Sequence, residues 1–141
     1  MPCMSDTLFP TLTDHHALEL GDVLAPRFGA DGLVAAIIQH AQTGEVLMVG
    51  WMNAEALKLT LDTGVTHFWS RKRQEIWKKG ATSGQLLPVS ELRLDCDQDA
   101  VLVKSLPGGD GGVCHVAGFR TCFYRTVADG RLAEDPGSRL A

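Results

Sequence analysis

Asp95-Cys96-Asp97-Gln98-Asp99, followed along the chain by Cys114-His115 and Cys122, holds the residue types best suited to chemistry. If the first segment is extended, alternate side chains face opposite ways. Asp95, Asp97 and Asp99 then share one face and Cys96 projects from the other. Carboxylates in a row suit Mg²⁺ or another hard cation. The thiolate of Cys96, joined by those of Cys114 and Cys122, suits Zn²⁺ with a fourth position left for water. The combination reads as a hydrolytic metal site.

Each group has a plainer alternative. Three like charges on one face of a strand repel, and a cation is the simplest remedy, although charged edge strands are also a common guard against aggregation. The aspartates do not form a calcium loop, because Ala100 and Leu106 stand where its glycine and glutamate are required. The cysteines lack the paired close spacing of a zinc finger; they could be ordinary buried cysteines, or a structural zinc site with His115 as fourth ligand. His115 could instead act as a general base or orient a water, or be a loop histidine among glycines.

A second group is basic. Ser70-Arg71-Lys72-Arg73 and Lys78-Lys79-Gly80-Ala81-Thr82-Ser83-Gly84 combine cations, small hydroxyls and glycines, the parts of a phosphate cradle, without the pattern of a Walker loop. Trp77, flanked by charge, is the better stacking candidate, whereas Trp51 and Trp69 lie in apolar strands and are expected in the core. His67 is expected to be structural.

The elements that must position these residues can be read from periodicity and punctuation. Leu33 to Gln39 and Val46 to Trp51 predict a buried β-hairpin around Gln42-Thr43-Gly44-Glu45. Asn53 caps a helix beginning at Ala54, and Gly64 ends it. Strands are expected at 65–69, 89–95, 100–104 and 119–125, with a flexible turn at 106–112. Residues 1–30 read as an irregular lead with one short helix near His16 to Leu24, and 126–141 as a loosely attached tail, leaving 31–125 as the domain proper.

Composition sets outer bounds. The 141 residues suit a single domain with one core; 45% are hydrophobic, 21% are charged and the formal net charge is −4. The acidic balance argues against a general nucleic-acid binder, and no apolar run approaches the ~18 residues of a membrane span. No secretory signal is visible at the start, which predicts a cytoplasmic setting with reduced thiols. Cys3, far from the others, is expected to be incidental.

Taken in order, Met48 to Leu57, Phe68-Trp69-Ser70-Arg71, Trp77 to Gly84, Leu94 to Ala100, Cys114-His115 and Arg120 to Arg125 resemble the phosphoribosyl-AMP cyclohydrolase family of histidine biosynthesis. The resemblance implies hydrolysis of the N1–C6 bond in the adenine ring of N1-(5-phosphoribosyl)-AMP, giving a formimino carboxamide nucleotide. It implies an α+β fold, a small mixed sheet or pseudo-barrel with one main helix. It also implies an intertwined homodimer with active sites at the subunit interface, using zinc and magnesium. By position, Cys96 of one subunit and Cys114 and Cys122 of the other would hold zinc, and Asp95, Asp97 and Asp99 magnesium. His115 would move protons, and Ser70, Arg71, Lys79, Thr82 and Ser83 would bind the phosphates and riboses.

The chain carries one residue more between Cys114 and Cys122 than the family commonly has, near Val116-Ala117-Gly118, where Gly118 could absorb it. Some members fuse a phosphoribosyl-ATP pyrophosphohydrolase after this domain; with 16 residues following Arg125, that activity is expected on another chain. A zinc-binding paralogue without turnover, or an amidine hydrolase for another purine nucleotide, would preserve the same residues.

Overall fold

The computed structural model describes residues 8–116 and 118–140. Cys3 and Ala117, each weighed from sequence, lie outside them. The elements run α1 (His15–Leu20), β1 (Val34–His40), β2 (Val46–Met52), α2 (Ala54–Thr63), β3 (His67–Ser70), β4 (Glu75–Lys78), β5 (Val89–Leu94), β6 (Ala100–Ser105), β7 (Arg125–Ala128) and β8 (Arg131–Glu134). A 3₁₀ turn at Pro136–Ser138 follows. The fold is α+β, with one four-stranded sheet ordered β2-β1-β6-β5 and two separate hairpins, β3-β4 and β7-β8. Among the described residues the strands form no closed barrel.

The expected first hairpin is present: β1 and β2 pair antiparallel, with Val34 opposite Met52 and Ile37 opposite Val49. β6 then pairs with β1 in parallel and β5 with β6 antiparallel. Burial alternates along these strands. Val34, Ala36 and Ile38 of β1 and Val101 and Val103 of β6 are fully buried, together with Leu47 and Met52 of β2. Leu57, Ala54 and Ala56 of α2 close this core with Phe68, Leu87 and Val113. Each large aliphatic side chain so buried contributes roughly 1.5–3 kcal/mol.

Both caps of α2 match their residues. The Asn53 side chain accepts a hydrogen bond from the Ala56 N–H, and Gly64 takes the left-handed conformation at φ 74°. Thr60, fully buried, ties the helix to β3, its hydroxyl donating to the Ala56 carbonyl and accepting from the His67 N–H. His67 is structural, as expected: it is buried, with Nδ1 2.8 Å from the Val65 carbonyl oxygen.

Several expectations need correction. Asp95–Asp99 is not extended; it is the loop joining β5 to β6, with Gln98 in the left-handed region at φ 58°. The expected strand at 119–125 is absent, Arg125 instead opening β7; Thr121 and Cys122 bond to β2, where the Cys122 N–H donates to the Leu47 carbonyl and the Thr121 hydroxyl to that of Val46. The C-terminal stretch is not loosely attached. Arg120 N–H donates to Ser138, Leu140 N–H to Gly118, and Asp135 N–H to Tyr124. The Arg120 guanidinium meets both carboxylate oxygens of Glu45, at 2.8 and 3.0 Å, and reaches the Arg139 carbonyl as well. Finally, 70–84 is not all loop: it holds β4, which pairs with β3, Ser70 opposite Glu75 and Phe68 opposite Trp77.

Candidate functional site

The acid loop gathers its carboxylates by hairpin geometry rather than by strand alternation. The Asp95 N–H donates to Ala100 and the Gln98 N–H to Asp95, closing the turn. Asp95 Oδ1 then accepts from the N–H groups of Asp99 and Ala100 at 2.9 and 3.1 Å. One oxygen from each of Asp95, Asp97 and Asp99 lies within 4.8 Å of the others, the sole such group of three or more His, Cys, Asp or Glu ligands among the described residues.

Desolvation opposes ionisation of Asp95, but hydrogen bonds from the Asp99 carboxyl and from the Ala100 and Asp99 N–H groups outweigh it and hold its pKa below the ordinary value. The Asp99 carboxyl bears the consequence. Its hydrogen bonds to Asp95 and Asp97, reinforced by desolvation and their charges, push its pKa up to about 6. Without a cation, three carboxylates this close retain a proton up to about pH 6, so the donor set fits a hard divalent ion.

The thiols behave differently. Cys114 and Cys122 come together: the Cys122 pKa is pushed up to about 11, first by desolvation, then by the charge of Cys114 and a hydrogen bond with it. Cys122 keeps solvent contact, yet enough protein flanks its sulfur for desolvation to dominate. Lys79 partly offsets the shift. A Cys122 thiol held protonated beside a second sulfur fits a soft divalent cation, which would favour the thiolate. Cys96 does not join them. It is exposed on the acid loop, beside the turn that follows α1. His115 is exposed next to Cys114, and Gly118, between the two cysteines, has a positive φ of 91°.

The basic residues divide. Ser70 and Arg71 line an open hollow of about 560 Å³ with Trp51, Trp69 and Trp77. The Arg71 guanidinium lies 4.7 Å from the centre of the Trp51 ring. Trp51 and Trp69 are therefore half-buried walls of a hollow, not core residues as expected. Trp77 packs its ring on Phe68 at 5.4 Å, with the Lys79 ammonium 5.7 Å from its centre. Lys79 thus links the basic loop to Cys122. Thr82 and Ser83 sit on an exposed turn outside the hollow; the Ser83 hydroxyl accepts from the Gln85 N–H. Gly80 makes that turn possible, since at φ 84° a Cβ there would stand 2.3 Å from the Gln85 backbone.

Sequence reasoning missed Arg27, whose Nη1 lies 4.0 Å from Asp97 Oδ2. Nothing in the spacing of residues 1–30 signals this contact. It also missed the side chain of Gln98, hidden inside the motif it belongs to.

This α+β scaffold sets a cluster of three carboxylates and a basic, aromatic hollow on either side of Trp51, places suited to a cation and to a planar, phosphorylated molecule. The profile of the phosphoribosyl-AMP cyclohydrolase family matches residues 48–124. A phosphoribosyl-AMP cyclohydrolase of Caulobacter vibrioides (strain NA1000 / CB15N) is 64% identical over 131 residues, covering 93% of this chain and 94% of the relative. That of Caulobacter sp. (strain K31) is 64% identical over 128 residues, 91% of this chain and 95% of its own. That of Brucella canis (strain ATCC 23365 / NCTC 10854 / RM-666) is 54% identical over 122 residues, covering 86% and 87%. The chain belongs to the phosphoribosyl-AMP cyclohydrolase family.

Proposed function

We propose that this chain carries out its family's reaction at a site shared between two copies, with Cys96 of one copy and Cys114 and Cys122 of the other holding zinc and the acid loop holding magnesium. Family membership and the named relatives make it a hydrolase of histidine biosynthesis acting on a small nucleotide. The observation that carries the shared site is the division of the thiols: Cys114 and Cys122 meet within one chain and Cys96 does not.

A second observation supports pairing of two copies. By register, Val49, Ile37 and Leu102 stand side by side on the sheet face opposite the core, with Trp51, Ala35 and Ala100 in the next row. None of these six is buried within the chain. An apolar sheet face left open in one copy is a surface for another. No helix here is long and apolar enough to cross a membrane. The cytoplasm is the proposed setting, since reduced thiols are needed.

The reaction adds water across C6 and N1 of the adenine ring: hydroxyl to C6, proton to N1, and the N1–C6 bond breaks to leave the carboxamide. Zinc, when bound, supplies a Lewis acid that lowers the pKa of water towards neutrality. Arg71 and Ser70 offer a cation and a hydroxyl to phosphate at the mouth of the tryptophan hollow. Lys79 adds positive charge beside Cys122, and Thr82 and Ser83 extend the hydroxyl-bearing turn towards a ribose. His115, exposed beside Cys114, exchanges a proton with the departing N1.

The test is ultraviolet monitoring of ring opening in fresh phosphoribosyl-AMP, using metal-stripped protein with zinc and magnesium restored separately and together. Turnover that requires zinc is the expected result. Silence from a folded, zinc-loaded dimer would transfer the chain to a paralogue without this activity, and turnover of a different purine nucleotide would reassign the substrate.

A further inference from the structure

Gln98 is central in the acid loop, yet its side chain points away from the carboxylates and is only 7% exposed. Its Oε1 accepts from the Ala25 N–H at 2.8 Å. Its Nε2 donates to the carbonyls of Leu18 and Val23 at 3.0 and 3.1 Å. Its own carbonyl accepts from the Arg27 N–H at 2.7 Å. Both donors of the amide are used, so this buried polar group is satisfied by one segment of chain remote in sequence. A non-glycine residue in the left-handed region is strained and persists where surrounding bonds over-determine it, as these four do for Gln98 at φ 58°.

What the bonds hold in place lies beside the carboxylates. Arg27 is the cation that the described residues set against the cluster, through Asp97. Phe28 and Gly29 wall a hollow of about 310 Å³ whose other sides include Asp99 and Trp51. Leu18 to Gly29 lies outside the stretch matched by the family profile, so residue 98 is where this chain's N-terminal segment is joined to a loop inside that stretch.

We infer that Gln98 is a positioning residue: its side-chain amide fastens the 18–29 segment to the acid loop, fixes the aim of Asp97 and Asp99, and sets Arg27 at the edge of the site. The effect on a bound cation rests on the proposed reading of the acid loop as the magnesium site; the fastening itself does not. Two variants separate the side chain from the backbone. Gln98→Asn keeps an amide and suits positive φ but is one methylene short, and Gln98→Gly relaxes the backbone and removes the amide.

The full-length protein would be probed by amide hydrogen exchange and by Mn²⁺ binding, read from its electron paramagnetic resonance as a stand-in for Mg²⁺. Both variants should speed exchange at Ala25 and Arg27 at least ~10-fold and raise the Mn²⁺ midpoint by about tenfold, the usual cost of losing a residue that orients a metal ligand. Wild-type exchange and an unmoved midpoint in both variants would overturn the inference, because the segment and the carboxylates would then hold their places without the side-chain amide. If the wild type takes up no Mn²⁺, the magnesium reading and the cation effect fall together, and exchange at Ala25 and Arg27 still decides the fastening.

Discussion

The three carboxylates occupy one hairpin loop and meet within a single copy, whereas the three thiols come from separate loops and only Cys114 and Cys122 meet. The acid loop needs little more than its own turn hydrogen bonds, Gln98 to Asp95 and Asp95 to Ala100. The cysteine pair needs the 113–122 segment laid on β2 and pinned by Arg120 to Glu45. A hard-ligand site can thus be carried by a few consecutive residues, while the soft-ligand site depends on packing for two members and, as proposed, on a second chain for the third. The two should respond differently to substitution and to mixing of copies.

The largest effect should come from the thiols. Cys96→Ser or Cys122→Ser should lower turnover on the order of a thousandfold, the worth of several kcal/mol of lost metal assistance. Refolding the two variants together should restore about a quarter of wild-type activity, since half the dimers are mixed and each has one intact site. No recovery would put all three thiols in one copy and break the comparison.

Asp97→Asn should cost on the order of a hundredfold in turnover. Mixing sharpens the outcome: paired with Cys122→Ser it should recover about a quarter of the activity, but with Cys96→Ser nothing, because both substitutions lie on one loop. Recovery in the second mixture would mean that Cys96 and Asp97 serve different sites.

Arg120→Gln should act on the thiol arm alone. The loss is about 1 kcal/mol, because the Glu45 pair is about one-third exposed and solvent weakens it, and the melting temperature should fall by a few degrees. Zinc affinity should drop while Mn²⁺ binding at the acid loop stays at the wild-type value; equal loss of both would show that the regions are not independent.

The smallest effect concerns pH. The Asp99 carboxyl, at about 6 in the folded chain against 3.8 ordinarily, binds a proton that the unfolded chain has released. Metal-stripped protein should therefore lose stability as pH rises from about 4 to about 6, and Mg²⁺ should abolish that loss. The depressed Asp95 pKa works in the opposite sense at lower pH. Denaturant midpoints across this range, with and without Mg²⁺, would show it; an unchanged slope would mean the carboxylates do not share a proton.

Legibility in the sequence followed the range of the interactions. The β1-β2 hairpin, α2 with its Asn53 and Gly64 caps, and the β5 and β6 strands were all readable, since alternation, capping and turn residues act over a few positions. The Asp95–Asp99 loop was found for its ligand types but assigned the wrong conformation; Gln98 at positive φ breaks the alternation, and its side chain is bonded 73 to 80 residues away. The tail was misjudged for the same reason: polar residues such as Asp135 and Arg139 suggest solvent, yet their backbone groups pair with 118–124. Trp51 and Trp69 look like core from their apolar strands, yet Trp51 stands on the open sheet face and Trp69 in the separate β3-β4 hairpin, so both line a hollow.

The amino-acid sequence alone determined which side chains are available as ligands and cations, the local hairpins and helix that carry them, and the family to which they belong, because these depend on residue type and on contacts between near neighbours. Only the tertiary structure decided that Cys122 meets Cys114 while Cys96 stays apart, that Arg71 lies over Trp51, and that Gln98 holds Ala25 and Arg27 beside the carboxylates. Those arrangements join segments far apart in the chain, and no local pattern encodes them; they are settled by which surfaces can be buried together with every hydrogen bond satisfied.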